Sequence, residues 1–399
     1  MVGMKRRIGA VGFALGVVCT LVATAALEPG LRAASAPRLD RAGFDQAVEA
    51  VFSRYYEPVD EAALLSAGLS AMLGELDPHS HFLSAADRKA LRRHKHSGET
   101  GLAIAMRTEA ASRARRLEVL AVAPDSPAAR EGLRPGDAVV EIAGKSVDAL
   151  ASQREAELLL VGAIGDEVAL LVQPADGNGP RAVELVLARP STKMLETAVV
   201  RDEAGRSYVH VVLRRFGAES GDAFRRAIEA RRHALGKDLA GIVIDLRGNP
   251  GGEVGEALVI ADAFVADGVL MRTRGRGGRI LREESAHASG TDLATPIVVL
   301  QDRHSASASE LLAAALQDRG RARVVGERSY GKGTVQEVMG LPDGSVATFT
   351  IARYYSPDDR LVDGSGVTPD VAVALTGDMP VVGEKDVGVT AAIRALGAP

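Results

Sequence analysis

Residues 297–336 read IVVLQDRHSASASELLAAALQDRGRARVVGERSYGKGTVQ. Ile297 to Gln301 is a short, β-branched run of the kind that forms a buried strand, and Glu310 to Leu316 is a Leu/Ala run that favours helix. Ser305-Ala306-Ser307-Ala308-Ser309 therefore fills a sharp strand-to-helix turn. Ala322 to Gly326 reads as the next strand and leads to a loop in which Lys332 stands between Gly331 and Gly333. Strand, helix, strand is the repeat of an α/β core. The same alternation extends in both directions. Val209 to Leu213 precedes a helix near Gly221 to Arg232, Gly241 to Asp245 precedes one from about Val254 to Val265, and Val371 to Leu375 is a last strand before a short terminal helix.

The turn and the loop carry chemistry. N–H groups at a helix start are unpaired and the helix dipole favours negative charge there, which suits a developing oxyanion. A serine in this place also serves as an N-cap, and Ser307 with Glu310 has capping-box spacing. Local sequence leaves Ser305, Ser307 and Ser309 equally open as a nucleophile. Lys332 is one of eight lysines against forty arginines. Flanking glycines let backbone approach closely, and a lysine stripped of water can accept a serine proton where an arginine stays protonated. Gln336 can orient a neutral amine through its amide. If the segment is a strand from the lysine onward, Lys332 and Gln336 share a face by period two.

Gly326 to Lys332 has the spacing of a phosphate-binding P-loop, but that motif needs Ser or Thr after the lysine and a helix after the loop. Gly333 and the strand-like Thr334-Val335-Gln336-Glu337-Val338 stand there instead. Asp245-Leu246-Arg247-Gly248-Asn249-Pro250-Gly251-Gly252 is a second glycine-rich strand exit, read as a turn, a phosphate loop, or a source of oxyanion-binding N–H groups.

The chain has 399 residues, is 46% hydrophobic and carries a net charge of -4, so it can bury a sizeable core in more than one domain and lacks the basic surface of a nucleic-acid binder. Trp is absent and Cys19 is the only cysteine, which excludes an intrachain disulfide framework, thiolate-rich metal sites and CxxC redox chemistry. Lys5-Arg6-Arg7 before an apolar run from Ile8 to Leu27 reads as an export signal. Ala23-Thr24-Ala25 fits a cleavage site, while the length of the run also suits an uncleaved anchor. Residues 1–37 are thus a signal or anchor plus linker.

Residues 38–97 read as a small helical domain, with Phe44, Val48, Val51, Phe52, Leu64, Leu65, Leu69, Met72 and Leu73 as its apolar positions. His79, His81, His94 and His96 form two His-x-His pairs. Arg92, Arg93 and Lys95 around the second pair make surface histidines the expectation rather than a metal site.

Residues 98–190 change to short β-like runs, Leu117 to Val122, Ala138 to Ile142 and Val168 to Val172, with a helix near Ser152 to Val161. Leu133-Arg134-Pro135-Gly136-Asp137-Ala138-Val139-Val140-Glu141-Ile142 resembles the best-marked motif of PDZ domains. Gly101-Leu102-Ala103-Ile104 lies at the place of their carboxylate-binding loop. Such domains add an extended peptide to an open sheet edge.

Together, Leu76-Asp77-Pro78-His79-Ser80, the PDZ motif, DLRGNPGG, SASASE with GKGTVQ, Tyr354-Tyr355-Ser356-Pro357 and Gly366-Val367-Thr368-Pro369-Asp370-Val371 resemble the carboxyl-terminal processing peptidases, or tail-specific proteases. The resemblance runs from about Leu39 to Leu375. It implies Ser307 as nucleophile, Lys332, 25 residues later, as general base, and Gln336 as the residue that positions the lysine. It further implies an oxyanion hole from the N–H groups of Gly252 and Ala308, and a PDZ domain that gates the site or aligns the dyad on binding a peptide. Three parts follow: the helical segment, the PDZ-like β-rich domain, and an α/β protease core with mixed sheet over residues 191–376, then a tail, 377–399. The expected protein is an exported, periplasmic serine endopeptidase, soluble after signal cleavage or tethered to the inner membrane by residues 8–27. It would act on protein or peptide tails, need no metal or organic cofactor, bind no nucleic acid, and work as a homo-oligomer or with an activating adaptor. A catalytically silent PDZ adaptor and a non-peptidase acyl hydrolase on the same dyad are the other classes.

Overall fold

The computed structural model describes residues 39–93, 98–108, 114–150, 152–189, 193–287, 291–376 and 379–397. The N-terminal run with Cys19, and His94 and His96, lie outside them. Among the described residues no helix is long and apolar enough to cross a membrane.

Arg41–Arg54 is a helix begun by Asp40, whose carboxylate accepts from the Gly43 N–H at 2.8 Å. It buries no side chain. The helix Glu61–Gly74 buries only Leu73, leaving Leu64, Leu65 and Met72 exposed.

The PDZ region is an antiparallel sheet in the order Leu102–Thr108, Arg115–Val122, Ala138–Ile142, Glu167–Gln173, Arg181–Val186, with Lys145–Ser146 on the middle strand. The sequence expectation missed its first and last strands. Inward residues such as Leu117, Val119, Val139, Leu170 and Leu185 form its core with Ala156 of the helix Gln153–Leu159. Leu102–Thr108 is an edge strand.

The α/β core is a six-stranded mixed sheet. Leu195–Arg201 pairs antiparallel with Ser207–Leu213, after which Leu239–Asp245, Ile297–Gln301, Ala322–Gly326 and Val371–Ala372 follow in parallel. Parallel strands covered on both faces read as continuous apolar runs, which is why the sequence revealed them. Alternate residues go to opposite layers. Val209, Ile242, Ile244, Val299 and Val324 pack under the helices Ser220–Leu235, Val254–Asp262 and Ala308–Asp318, whereas Val243, Val298, Leu300 and Val325 pack under Val387–Leu396. The DLRGNPGG loop, the serine turn and the lysine loop all leave the C-terminal ends of the parallel strands, where α/β sheets form their crevices.

A five-stranded antiparallel sheet completes the core. His81–Leu83, Val346–Tyr355, Val269–Gly275 and Ile280–Ser285 follow in order, and Thr334–Gly340 also pairs with Val346–Tyr355. Its short first strand carries the Leu-Asp-Pro-His-Ser turn from the helical segment into the core: Ser80 is fully buried, donates to Asp77 Oδ2 at 2.9 Å and accepts from the Thr350 N–H at 3.3 Å.

Candidate active site

Two loops close on the serine turn. Asn249 staples the first: its carbonyl accepts from the Ala306 N–H and from the Ser309 hydroxyl, both at 3.0 Å, while its side chain donates to the Leu213 carbonyl at 2.8 Å. Asp302, buried, takes the N–H groups of Gly248, His304 and Ser305 and so joins the same two loops. Burial pushes its carboxyl up against those donors. Gly251 stands so close to the serine turn that a Cβ there would meet Ser307 Cβ at 2.8 Å, and at Gly252, φ +140°, one would lie 2.0 Å from the Phe216 carbonyl oxygen. Both must be glycine.

The three serines now differ. Ser305 is buried and donates to the Leu246 carbonyl at 2.8 Å; Ser309 is buried and spent on Asn249. Ser307 is half-buried, and its hydroxyl donates to no group among the described residues. Its backbone, φ 58° and ψ -115°, is a conformation that non-glycine residues rarely adopt. The N–H groups of Gly252 and Ala308 likewise have no acceptor among the described residues.

Glu310 ties in the second loop. Its carboxylate is completely buried: Oε2 accepts from the N–H groups of Ser307 and Lys332, each at 2.8 Å, and Oε1 from the Gly331 N–H at 2.6 Å and the Ser329 hydroxyl at 2.5 Å. Burial pushes its pKa up, opposed by all four donors. One oxygen thus links the backbones of the serine and the lysine. Sequence offered Glu310 only as a capping partner of Ser307. It does cap the helix, and the same carboxylate also holds the lysine loop. Gly331 and Gly333 are needed there, since a Cβ on Gly333 would stand 2.4 Å from the Asp363 nitrogen.

The side chains of Lys332 and Ser307 are not hydrogen-bonded to each other. Lys332 lies in a cleft of about 420 Å³ with His79, His81 and Gln336, facing Gln153, Arg154 and Glu157 of the PDZ helix. The period-two reading of Lys332 and Gln336 needs correcting. Lys332 precedes the strand, which begins at Thr334, and a bulge falls between Val335 and Gln336; loop geometry brings both to one cleft. The Gln336 amide donates to Thr334 and Thr350 hydroxyls at 2.8 and 3.3 Å rather than to the lysine.

His79 and His81 also depart from expectation, being half-buried walls of this cleft rather than solvated. Burial, then the Lys332 charge, hold the His79 pKa below its ordinary value. Among the described residues no three His, Cys, Asp or Glu side chains gather as metal ligands.

Gly101 has φ +80°, and a Cβ there would strike Ser126 at 2.2 Å. Leu102, Ala103 and Ile104 open the edge strand, whose Met106 N–H is taken by Gln153 Oε1 at 3.1 Å. The sheet also leans on the serine turn: Ala105 and Leu120 pack on Ala306, and the Arg107 guanidinium stacks 3.9 Å over the Tyr330 ring.

Residues 207–373 match peptidase family S41 and residues 118–174 match the PDZ domain. The carboxy-terminal-processing protease of Bartonella bacilliformis is 31% identical over 334 residues, 83% of this chain and 74% of that protein. This chain belongs to the carboxy-terminal processing proteases. The chloroplastic C-terminal processing peptidase of Tetradesmus obliquus is 33% identical over 326 residues, 79% of this chain and 69% of that one. A solved structure described as photosystem II D1 C-terminal processing protease superposes with TM-score 0.73 at 30% identity, over 90% of this chain and 92% of that one. As a carboxy-terminal processing protease the protein is a serine-type endopeptidase with a PDZ domain, and its substrates are peptides or proteins.

His304, three residues before Ser307, is buried, and neither ring nitrogen has a hydrogen-bond partner among the described residues. Burial, then the Arg303 charge, push its pKa down from 6.5 to about 4. Folding therefore disfavours the imidazolium: this contribution is full above about pH 6.5 and is lost as pH falls to about 4, by roughly 3 kcal/mol. Denaturant unfolding across that range should show the loss. His304→Leu should flatten it, at a cost under about 1.5 kcal/mol at pH 8 because no hydrogen bond is broken. An unchanged acid slope in His304→Leu would assign the effect to other groups.

Proposed function

We propose that Ser307 is the nucleophile of this protease, Lys332 its general base and Gln336 the residue that aligns the lysine, with the Gly252 and Ala308 N–H groups receiving the oxyanion. The observation that supports this reading best is the single Glu310 oxygen shared by the Ser307 and Lys332 N–H groups. It keeps the two backbones in fixed register beside a serine hydroxyl that donates elsewhere to nothing described. In the reaction the neutral Lys332 amine takes the Ser307 proton as Oγ attacks the scissile carbonyl. The oxyanion forms against two N–H groups that have no other acceptor among the described residues, the amine leaves with the proton from Lys332, and water then hydrolyses the acyl-enzyme by the same route in reverse.

Reaching that geometry requires the lysine side chain to swing out of the cleft toward Ser307, and Gln336 to exchange a threonine partner for the amine. A substrate tail adding to the edge strand, its carboxylate at Gly101 to Ile104, must displace Gln153 from the Met106 N–H. Because Gln153 lies in the cleft of Lys332, this displacement is a route by which peptide binding would reach the base. Residues 98–190 act as the peptide-binding part and 191–376 as the protease core, following the helical segment, 38–97. Export, directed by residues 1–37, brings the enzyme to the periplasm, free or tethered through residues 8–27. Neither a silent PDZ adaptor nor a non-peptidase hydrolase is favoured by any feature of the site.

Acid quench during cleavage of an unfolded protein with an apolar C-terminus, followed by peptide mapping, should find an acyl adduct on Ser307. An adduct on Ser305 or Ser309 would overturn the assignment. Turnover without any adduct when breakdown is slowed would remove the covalent step.

A further inference from the structure

A cavity of about 140 Å³ lies between the PDZ sheet and the protease core. Gly101, Leu102 and Ala103 form part of one wall, and Arg214, Gly248 and Pro250 part of the other. Gly248 and Pro250 belong to the loop that closes on Ser307, so the cavity adjoins the approach to the nucleophile. Three of its side chains are cationic, Lys193, Arg214 and Arg215, and one, Glu99, is a carboxylate. Burial pushes the Glu99 carboxyl up and the Arg215 charge opposes it.

Arg214 is the unusual member. Its side chain is only 10% exposed, and Nε and Nη2 both donate to the same oxygen, Glu196 Oε1, at 3.1 and 2.9 Å. Nη1 is buried without a hydrogen-bond partner among the described residues. Leaving a buried guanidinium nitrogen unpaired is costly, and a planar fork with one arm unused is suited to a carboxylate. The neighbouring small and apolar residues, Ala103, Ala121 and Pro124, offer no anion of their own.

We propose that this cavity is a subsite for a carboxylate of the peptide substrate, held chiefly by Arg214 of the core opposite the PDZ loop. The assignment rests on the proteolytic reading above. It makes acid recognition a composite of two domains, with a side-chain cation where the PDZ loop supplies only backbone N–H groups. The carboxylate is either the free C-terminus or an Asp or Glu side chain.

The test uses the full chain carrying Ser307→Ala and fluorescence anisotropy with two pairs of short apolar peptides. One pair differs as C-terminal acid against amide; the other, amidated, differs as Glu against Gln at each position in turn. In one pair the carboxylate should bind at least about tenfold tighter, the worth of one charge-assisted hydrogen bond. Adding Arg214→Gln should bring that ratio within about twofold, and Arg214→Lys, which keeps charge but not the fork, should fall between. The ratio is taken within one protein, so a partly unfolded variant affects both arms alike. A tenfold acid-to-amide ratio identifies the C-terminus as the ligand, and a Glu-to-Gln ratio the side chain. No ratio above twofold without the Arg214 change, or a full ratio surviving Arg214→Gln, overturns the subsite. Failure of the unmodified chain to cleave any of these peptides or an unfolded protein would instead count against the proteolytic reading, which the binding ratio does not depend on.

Discussion

Lys332→Ala should cleave an unfolded protein about 10²–10⁴-fold more slowly than the unmodified chain, the usual worth of a positioned general base. Lys332→Arg should be no better, because a guanidinium does not give up its proton at any working pH. The variants should fold normally: among the described residues the Lys332 ammonium makes no hydrogen bond or ion pair, and the loop is held by its backbone, through Glu310. Melting temperatures therefore separate loss of chemistry from loss of fold. The change should appear in kcat, with KM for a tail peptide altered little, since the proposed peptide contacts lie on the PDZ edge strand and in the cavity beside it. Activity surviving in Lys332→Arg at more than a few per cent would rule the lysine out as base. Equal thermal stability with unaltered kcat in Lys332→Ala would do the same.

Glu310→Ala should be damaging in a different way. It strands the N–H groups of Ser307, Gly331 and Lys332 and the Ser329 hydroxyl in a buried place, at about 1–3 kcal/mol for each unsatisfied group and of the order of 4 kcal/mol together. Turnover should fall more than the unfolded fraction accounts for, because serine and lysine lose their common anchor. Glu310→Gln tests the geometric part. An amide oxygen placed as Oε2 still accepts from Ser307 and Lys332, and the Ser329 hydroxyl, which already accepts from the Val367 N–H, can also accept from the amide nitrogen, so the stranded donors fall to the Gly331 N–H and the Ser329 O–H. This variant should keep a measurable fraction of kcat and most of the stability. Calorimetry beside steady-state kinetics at a temperature where each variant is folded checks both. A Glu310→Ala protein that melts low but retains full kcat when folded would make Glu310 a stability residue with no part in aligning the dyad.

The strands of the parallel sheet were legible because both faces are covered, so Ile297–Gln301 and Ala322–Gly326 read as unbroken buried runs and their bounds match the structure. The antiparallel sheet beside the site was far less legible. Val269–Gly275 and Ile280–Ser285 carry arginines and glutamates that satisfy one another across the ladder, as Arg272 does with Glu283 at 2.7 Å. Such strands show no apolar signature, and their partner Val346–Tyr355 lies far along the chain. Hidden with them was the place of His79, which looked like a surface residue until the short strand His81–Leu83 drew its turn into the cleft.

Residues 297–336 by themselves determined the alternation of strand and helix, the position of a serine turn at a helix start and of a lysine between glycines at the next strand exit. These are local matters of hydrophobic period, helix start and glycine conformation. Which serine keeps a free hydroxyl, and that Glu310 joins it to the lysine loop, only the tertiary structure decided. Both depend on groups brought from elsewhere in the chain, Leu246 and Asn249 to occupy Ser305 and Ser309, and Gly331 and Lys332 to reach Glu310. A buried hydrogen bond is set by where two distant segments meet, and no spacing within one segment records it.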